Sequence, residues 1–295
     1  MLESIPAKTI VSGYRKNNRW FGMHYNMNIY KGCCHGCIYC DSRSDCYRVD
    51  DFDRVRVKSD ALRVIRDDLQ SKRRTGVVAT GAMSDPYNPF EKELLLTRHA
   101  LELLSAFGFG VGIATKSPLV TRDIDVLQEI AARSPVLCKM TVTTTDDALA
   151  RKLEPHAPPP SARLDAIAKL SDAGLFAGVL LLPVLPFITD SEDSVRTLVR
   201  RAQECGARFV YAWFGVTLRS NQRQYFYDRL DEQFPGLRAR YCSAFGERYE
   251  CVSPRAQLLL DVFASECRES GLYYRMSDII RAYQAPYAEP QLRLF

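Results

Sequence analysis

Apolar positions along this chain alternate between two spacings. Over 26–30, 77–80, 111–115, 136–144, 176–182 and 208–214 they form short runs rich in β-branched and aromatic residues, the signature of buried strands. Between these runs the spacing lengthens to three and four. Leu62, Ile65 and Leu69 mark a helix within 57–74, and Leu96, Ala100, Leu103 and Leu104 mark one within 92–107. Thr121 caps a helix that turns Ile124, Leu127 and Ile130 inward. Ser161, after the prolines of 158–160, caps another through Leu164, Ile167 and Leu170, which stops at Gly174. A further helix over 191–205 stops at Gly206. These are six strand–helix repeats in about 190 residues, without internal sequence similarity. Such alternation predicts a parallel sheet flanked by helices. A closed eight-stranded barrel usually takes ~250 residues, so six units predict an α/β fold of the partial (β/α)6, TIM-like kind, with its functional groups at the C-terminal ends of the strands.

The flanks read differently. Residues 1–25 carry Lys8, Arg15, Lys16 and Arg19 interleaved with Tyr14, Trp20, Phe21 and Tyr25. They read first as a strap with Trp20 and Phe21 packed on the barrel, and alternatively as a basic and aromatic surface for nucleic acid. Residues 26–215 form the barrel, and 216–295 a helical extension that covers its open side. Within the extension, 217–234 is charged and aromatic and reads as a solvated helix face, while 252–270 reads as a further helix. The chain's 295 residues are 46% hydrophobic, enough for a large core, and its net charge of +5 is compatible with nucleic acid without requiring it. The first ten residues lack an apolar run of signal-peptide length, and the ten cysteines are irregularly spaced, so a reducing cytoplasm is expected. The apolar run 179–182 is too short to span a bilayer.

Chemistry concentrates in Cys33-Cys34-His35-Gly36-Cys37-Ile38-Tyr39-Cys40, which holds four of the ten cysteines. Cys33, Cys37 and Cys40 form C-x3-C-x2-C. Thiolates so close in one loop converge on one metal centre, and an iron–sulfur cubane is the usual reason. Three cysteines leave one of its four irons open to a second cofactor that binds through nitrogen and oxygen. The alternatives are a disulfide pair or a zinc knuckle, which wants a fourth ligand, and His35 is the one nearby. Cys34 is the spare. Cys242, Cys251 and Cys267 have gaps of eight and fifteen residues and no compact pair, a weak basis for a second cluster.

With Tyr39 before its last cysteine, the motif resembles the signature of radical S-adenosylmethionine (SAM) enzymes. That resemblance implies the same partial barrel, a [4Fe–4S] cluster on Cys33, Cys37 and Cys40, and SAM chelated to the open iron. One electron from the cluster would cleave SAM to methionine and a 5′-deoxyadenosyl radical. It also implies SAM contacts at Tyr39 and at the strand ends: Gly81, Ser84 and Asp85 after the second strand, Lys116 for the SAM carboxylate after the third, Thr143 and Thr145 for ribose or carboxylate after the fourth, and Val184 beside adenine after the fifth. Each has a plainer reading, as turn, solvent-facing lysine, strand former or buried strand end.

The segments ATGAMSDPYNP, ATKSPLVTRDID, TVTTTDDALARKLEPHAPPPSARLDAI and LLLPVLPFITD together resemble the spore photoproduct lyase-related group within that superfamily. The lyase repairs a thymine dimer in DNA, and a cysteine returns the hydrogen. Here Gly81-Ala82-Met83-Ser84-Asp85 holds no cysteine, and Asp41 follows the last cluster cysteine where the group commonly has tyrosine. What carries over is SAM cleavage and hydrogen abstraction, fed by a flavodoxin- or ferredoxin-type reductant. The substrate classes are nucleic acid, as in DNA repair or modification, or a peptide or small molecule; a non-catalytic iron–sulfur or zinc protein is the remaining alternative. The last residues, Gln291, Leu292, Arg293, Leu294 and Phe295, resemble the Q-L-x-L-F peptide that docks bacterial repair proteins on the DNA sliding clamp; the alternative is a tail packed on its own domain.

Overall fold

The computed structural model describes residues 2–14 and 20–288. At its centre lies a seven-stranded sheet. Six strands run parallel and lie side by side in chain order: Tyr25–Met27, Val77–Thr80, Gly110–Thr115, Val136–Thr141, Ala177–Leu181 and Phe209–Ala212. Val11–Gly13 adds antiparallel to the first of them. This is the expected partial (β/α)6 barrel. Alternation along each strand divides its side chains between two surfaces. Val111, Ile113, Val136, Cys138, Met140, Ala177 and Val179 point outward into the main core, where they meet Leu101 and Leu104, Leu127, Leu164 and Ile167, and Leu198 and Val199 of the covering helices. Val77, Ala79, Leu137, Leu180 and Phe209 point inward to the lumen.

Two inward glycines leave room for what fills the lower lumen. A Cβ on Gly112 would lie 2.2 Å from Met23 Cε, and one on Gly178 would lie 2.4 Å from the Phe209 ring. Phe21, Met23 and Phe209 occupy that space, and helix Met276–Gln284 closes it from below with Ile279 and Tyr283. The Tyr283 hydroxyl donates to the Phe21 carbonyl at 2.7 Å. Trp20 stacks edge-to-face on Phe21 and Tyr211, with 43% of its surface exposed. Arg15, Lys16 and Arg19, and the tail 291–295, lie outside the described residues. No described helix is long and apolar enough to cross a membrane.

Several elements depart from the sequence reading. The run 26–30 is not one strand: Tyr30–Lys31 leaves the barrel to pair with Arg56–Lys58, which also pairs with Glu3–Ile5. Val57 is therefore in a strand, and the helix read over 57–74 begins only at Ala61. The 92–107 helix breaks at Leu95, whose φ is +53°. Thr121 caps nothing: it sits inside a 3-10 turn, Pro118–Asp123, and its hydroxyl donates to the Pro118 carbonyl at 2.9 Å. Ser161 is not a cap either, because Pro160 already starts that helix with its fixed φ; the serine instead bonds Asp147. The strand in 136–144 ends at Thr141, and a short helix, Asp147–Leu153, follows, capped by Asp146. Helix Ser220–Gln233 is not a solvated face. It buries Gln222, Phe226, Tyr227 and Leu230 in a satellite core shared with Tyr241, Phe245 and the Cys37–Tyr39 stretch. Its buried stripe is narrow, and the charges between hide it.

Candidate active site

Both flanks of the cysteine loop are pinned by backbone. Gly32, at φ +82°, lets the chain pass so close to Arg54 that a Cβ would lie 2.3 Å from its carbonyl. Cys33 N–H donates to the Phe52 carbonyl at 2.8 Å, Ile38 N–H to Leu153 at 2.9 Å, and His156 N–H to the His35 carbonyl at 3.1 Å. Gln222 of the C-terminal extension donates to the Tyr39 carbonyl. Held in this way, the loop turns Cys33, His35, Cys37, Tyr39 and Cys40 toward a cavity of ≈ 610 Å³ at the C-terminal ends of the strands. The spare, Cys34, faces away.

Burial raises all three cavity thiols above the ordinary cysteine range, Cys33 to about 12 and Cys37 and Cys40 also upward. Such thiols ionise only when a multivalent cation or cluster takes the charge. Among the described residues no three His, Cys, Asp or Glu side chains close around a single point. A cubane does not ask for that, since each thiolate binds a different iron. Three cysteines on one wall of a roomy cavity fit such a cluster.

A buried polar network backs the loop. Glu154 and Arg163 are both fully buried and paired, and the Tyr39 hydroxyl donates to the same carboxylate. The Thr143 hydroxyl joins at 3.3 Å, and Lys116 Nζ stands 4.0 Å from Glu154 and 5.6 Å from the Tyr39 ring centre. Burial alone would raise the Glu154 carboxyl, but Arg163 and Lys116 outweigh it and hold the group below its usual range. Burial would likewise lower the Lys116 ammonium, yet Cys37 and Glu154 hold it above its ordinary value. Of this network Lys116 is the charged group in the cavity wall, which it shares with Asp41, Asp85 and Glu250.

The second strand's loop is tied in from the other side. Asp85 accepts from Thr115 Oγ1 at 2.6 Å, from the Lys116 N–H at 2.8 Å and from the Tyr87 N–H at 2.9 Å, and His35 Nδ1 lies 3.5 Å away. Burial dominates at that imidazole and lowers it, against the pull of Asp85. The Ser84 hydroxyl donates to the Tyr30 carbonyl. Gly81 has φ +90°, and a Cβ there would lie 1.8 Å from the Ala114 carbonyl, so the two strand ends touch backbone to backbone.

The structure thus gathers Tyr39, Gly81, Ser84, Asp85 and Lys116 with Cys33, Cys37 and Cys40 around one cavity. Thr143, Thr145 and Val184 are not in its wall; Thr141, Leu182 and Pro183 hold the corresponding places. Sequence reasoning missed the roles of Glu154 and Arg163, and the wall residues Tyr211, Trp213 and Glu250. It also missed Lys139 and Asn26, which strand alternation aims into the lumen opposite the outward Cys138 and Met27, and Asn28 just past the strand's end. The amide oxygens of both asparagines are buried without a hydrogen-bond partner.

Residues 27–199 match the family model of the radical SAM superfamily. An uncharacterized protein of Mycobacterium tuberculosis is 35% identical over 224 residues, covering 74% of this chain and 66% of that relative, just under two thirds of its length. Among solved structures, a spore photoproduct lyase variant superposes with a TM-score of 0.66 at 13% identity, covering 92% of this chain and 81% of its own. Another lyase variant, with bound AdoMet and dinucleoside spore photoproduct, gives 0.63 at 16% identity, covering 86% and 77%. At such identities these two speak for the fold.

Proposed function

The chain belongs to the radical SAM superfamily, and on that premise we propose that it is an enzyme that cleaves SAM reductively and abstracts hydrogen from a substrate in nucleic acid. The observation that carries the chemistry is the meeting of three thiols, one buried and two half-buried, with Lys116 on one cavity wall, backed by the Glu154–Arg163 pair. Cys33, Cys37 and Cys40 would hold the [4Fe–4S] cluster. When bound, cluster and SAM together supply one-electron cleavage and a hydrogen-abstracting radical. Lys116 offers its ammonium to the SAM carboxylate, and Tyr39 fixes that ammonium through Glu154. Gly81 gives close backbone approach, while Ser84 and Asp85 hold the loop that presents it. Thr143 and Val184 act from behind the wall, Thr143 through Glu154 and Val184 through its N–H to the Trp213 carbonyl. The setting is the cytoplasm, where the cysteines stay reduced.

Anaerobic reconstitution should give about four irons per chain. Cys33→Ala, Cys37→Ala or Cys40→Ala should abolish the visible absorption, and Cys34→Ala should keep it. With dithionite the loaded protein should convert SAM to 5′-deoxyadenosine and methionine, and Lys116→Ala should weaken SAM binding by about 1.5–3 kcal/mol. Full iron content in Cys37→Ala, or SAM bound and never cleaved, would reject the reading in favour of a non-catalytic binding protein. Nucleic acid as substrate is supported by the lyase resemblance and by the Gln291, Leu292, Leu294 and Phe295 tail. It requires DNA affinity that falls steeply with salt, and deletion of 291–295 should abolish capture of the bacterial sliding clamp while sparing SAM cleavage. Absence of both would leave a peptide or small molecule as the substrate class.

A further inference from the structure

The cysteine loop is a wall with two faces. Its odd-numbered residues and Cys40 border the barrel cavity, while Cys34, Gly36 and Ile38 border a second hollow of ≈ 570 Å³ outside the barrel. The backbone of the loop separates them. At Gly36 it carries no side chain of its own, and the rings of His156 and Pro155 pack against it, 3.0 and 3.1 Å from where a Cβ would lie.

The rim of the outer hollow is unevenly charged. Its two carboxylates are each held by an arginine: Asp53 by Arg43 at 2.5 Å and Glu232 by Arg229 at 2.6 Å. Arg151, Lys152 and His156 stand exposed on the same rim. Among the described residues neither Arg151 nor Lys152 has a carboxylate within salt-bridge distance, although the charge of Arg151 reaches Asp147 one turn back on the same helix and Lys152 lies over the Phe234 ring. The uncompensated charge is positive, and it lies at the end of helix Asp147–Leu153, whose next residues pin His35.

We propose that this outer hollow is the docking surface for a small acidic protein that carries one-electron equivalents on a flavin or iron–sulfur centre. The inference rests on the cluster assignment above. With SAM and substrate filling the barrel cavity, an electron reaches the thiolate-bound irons through the cysteine loop itself, by way of Gly36 and Ile38 to Cys37. Transfer rates fall steeply with distance, so the outer face of the cysteine loop is the place for a donor. One electron leaves the carrier, which is oxidised by one equivalent, and the cluster is reduced by one; no bond or proton changes hands in the hollow. The positive rim steers an acidic carrier and discourages a basic one.

The test uses full-length protein, cluster-free and reconstituted, with oxidised flavodoxin as the binding probe. Titration calorimetry at low salt should give an affinity that weakens with ionic strength in both forms. The double variant Arg151→Glu/Lys152→Glu, shown by its melting curve to be folded, should bind flavodoxin at least about tenfold more weakly. Arg151→Lys/Lys152→Arg should bind as the parent does. Flavodoxin-driven SAM cleavage should fall in step in the charge-reversed variant, while dithionite-driven cleavage stays at the parental rate, since a small reductant needs no docking. Unchanged flavodoxin affinity in the charge-reversed variant overturns the proposal. So does a variant that loses duplex DNA binding alone, which would make the hollow a nucleic-acid surface. A parent that binds flavodoxin through this face yet never cleaves SAM with dithionite upholds the docking surface and rejects the enzyme reading.

Discussion

Lys139 points from the fourth barrel strand into the lumen, 3% exposed, with the Phe21 ring centre 5.3 Å from its ammonium. Burial pulls this amine down to about 7, with the Cys138 thiol pulling weakly upward. In the unfolded chain it titrates near ~10.4. Between those values the unfolded chain holds a proton that the folded chain lacks. Stability therefore rises with pH across that window, and the burial penalty is complete below about pH 7. Lys139→Met should raise the melting temperature most near pH 6, with a gain that shrinks toward pH 10. A gain independent of pH would show that the amine is not titrating there. Gly81→Ala should act in the other direction, because its Cβ meets the Ala114 carbonyl at 1.8 Å in a backbone with φ +90°. A loss of more than about 2 kcal/mol in denaturant melts is expected. Both residues show what a sequence conceals at this scale. Asp-Pro marks a turn after the second strand, but nothing in ATGAMSDP says that a neighbouring strand touches Gly81. Lys139 lies in an otherwise apolar run, where it reads as an interruption until alternation assigns it to the lumen.

Glu154 joins three elements. Its carboxylate takes the Tyr39 hydroxyl from the cysteine loop, the Thr143 hydroxyl from the fourth strand's loop, and Arg163 from helix Pro160–Asp172. Glu154→Ala leaves Arg163 buried without its counter-ion and should cost about 3–5 kcal/mol. Replacing both by Met removes the stranded charge, so the double variant should lose less than the sum of the single ones; additive losses would mean that the pair is not coupled. The outer helices were legible because each packs one broad apolar side on the sheet. Asp147–Leu153 was hidden by its shortness and by the prolines after it, and Glu154 carried no signal beyond being an acid before Pro155. The helix Ser220–Gln233 was misread because its buried positions, Gln222, Phe226 and Leu230, include a polar residue and sit among arginines.

The parallel sheet itself was legible, since strands buried on both faces appear as continuous apolar runs such as 176–182. The cysteine motif was legible by spacing alone. The floor of the barrel was not, because its parts, Phe21, Met23, Ile279 and Tyr283, are some 250 residues apart in the chain. Ile279→Ala should cost about 2–5 kcal/mol, because it opens a hole in the plug. Chemical denaturation would measure it, and a loss below 1 kcal/mol would mean that the lower lumen collapses freely. The same plug has a kinetic consequence. With the lower lumen filled, the reacting molecules of the proposed enzyme are left the doorway on the strand-end side, where the cavity lies. Whichever ligand sits deeper must arrive first and depart last, and a spent ligand in the throat blocks its own replacement. Product-inhibition patterns should therefore show a compulsory order of binding, with turnover paced by clearance of the doorway.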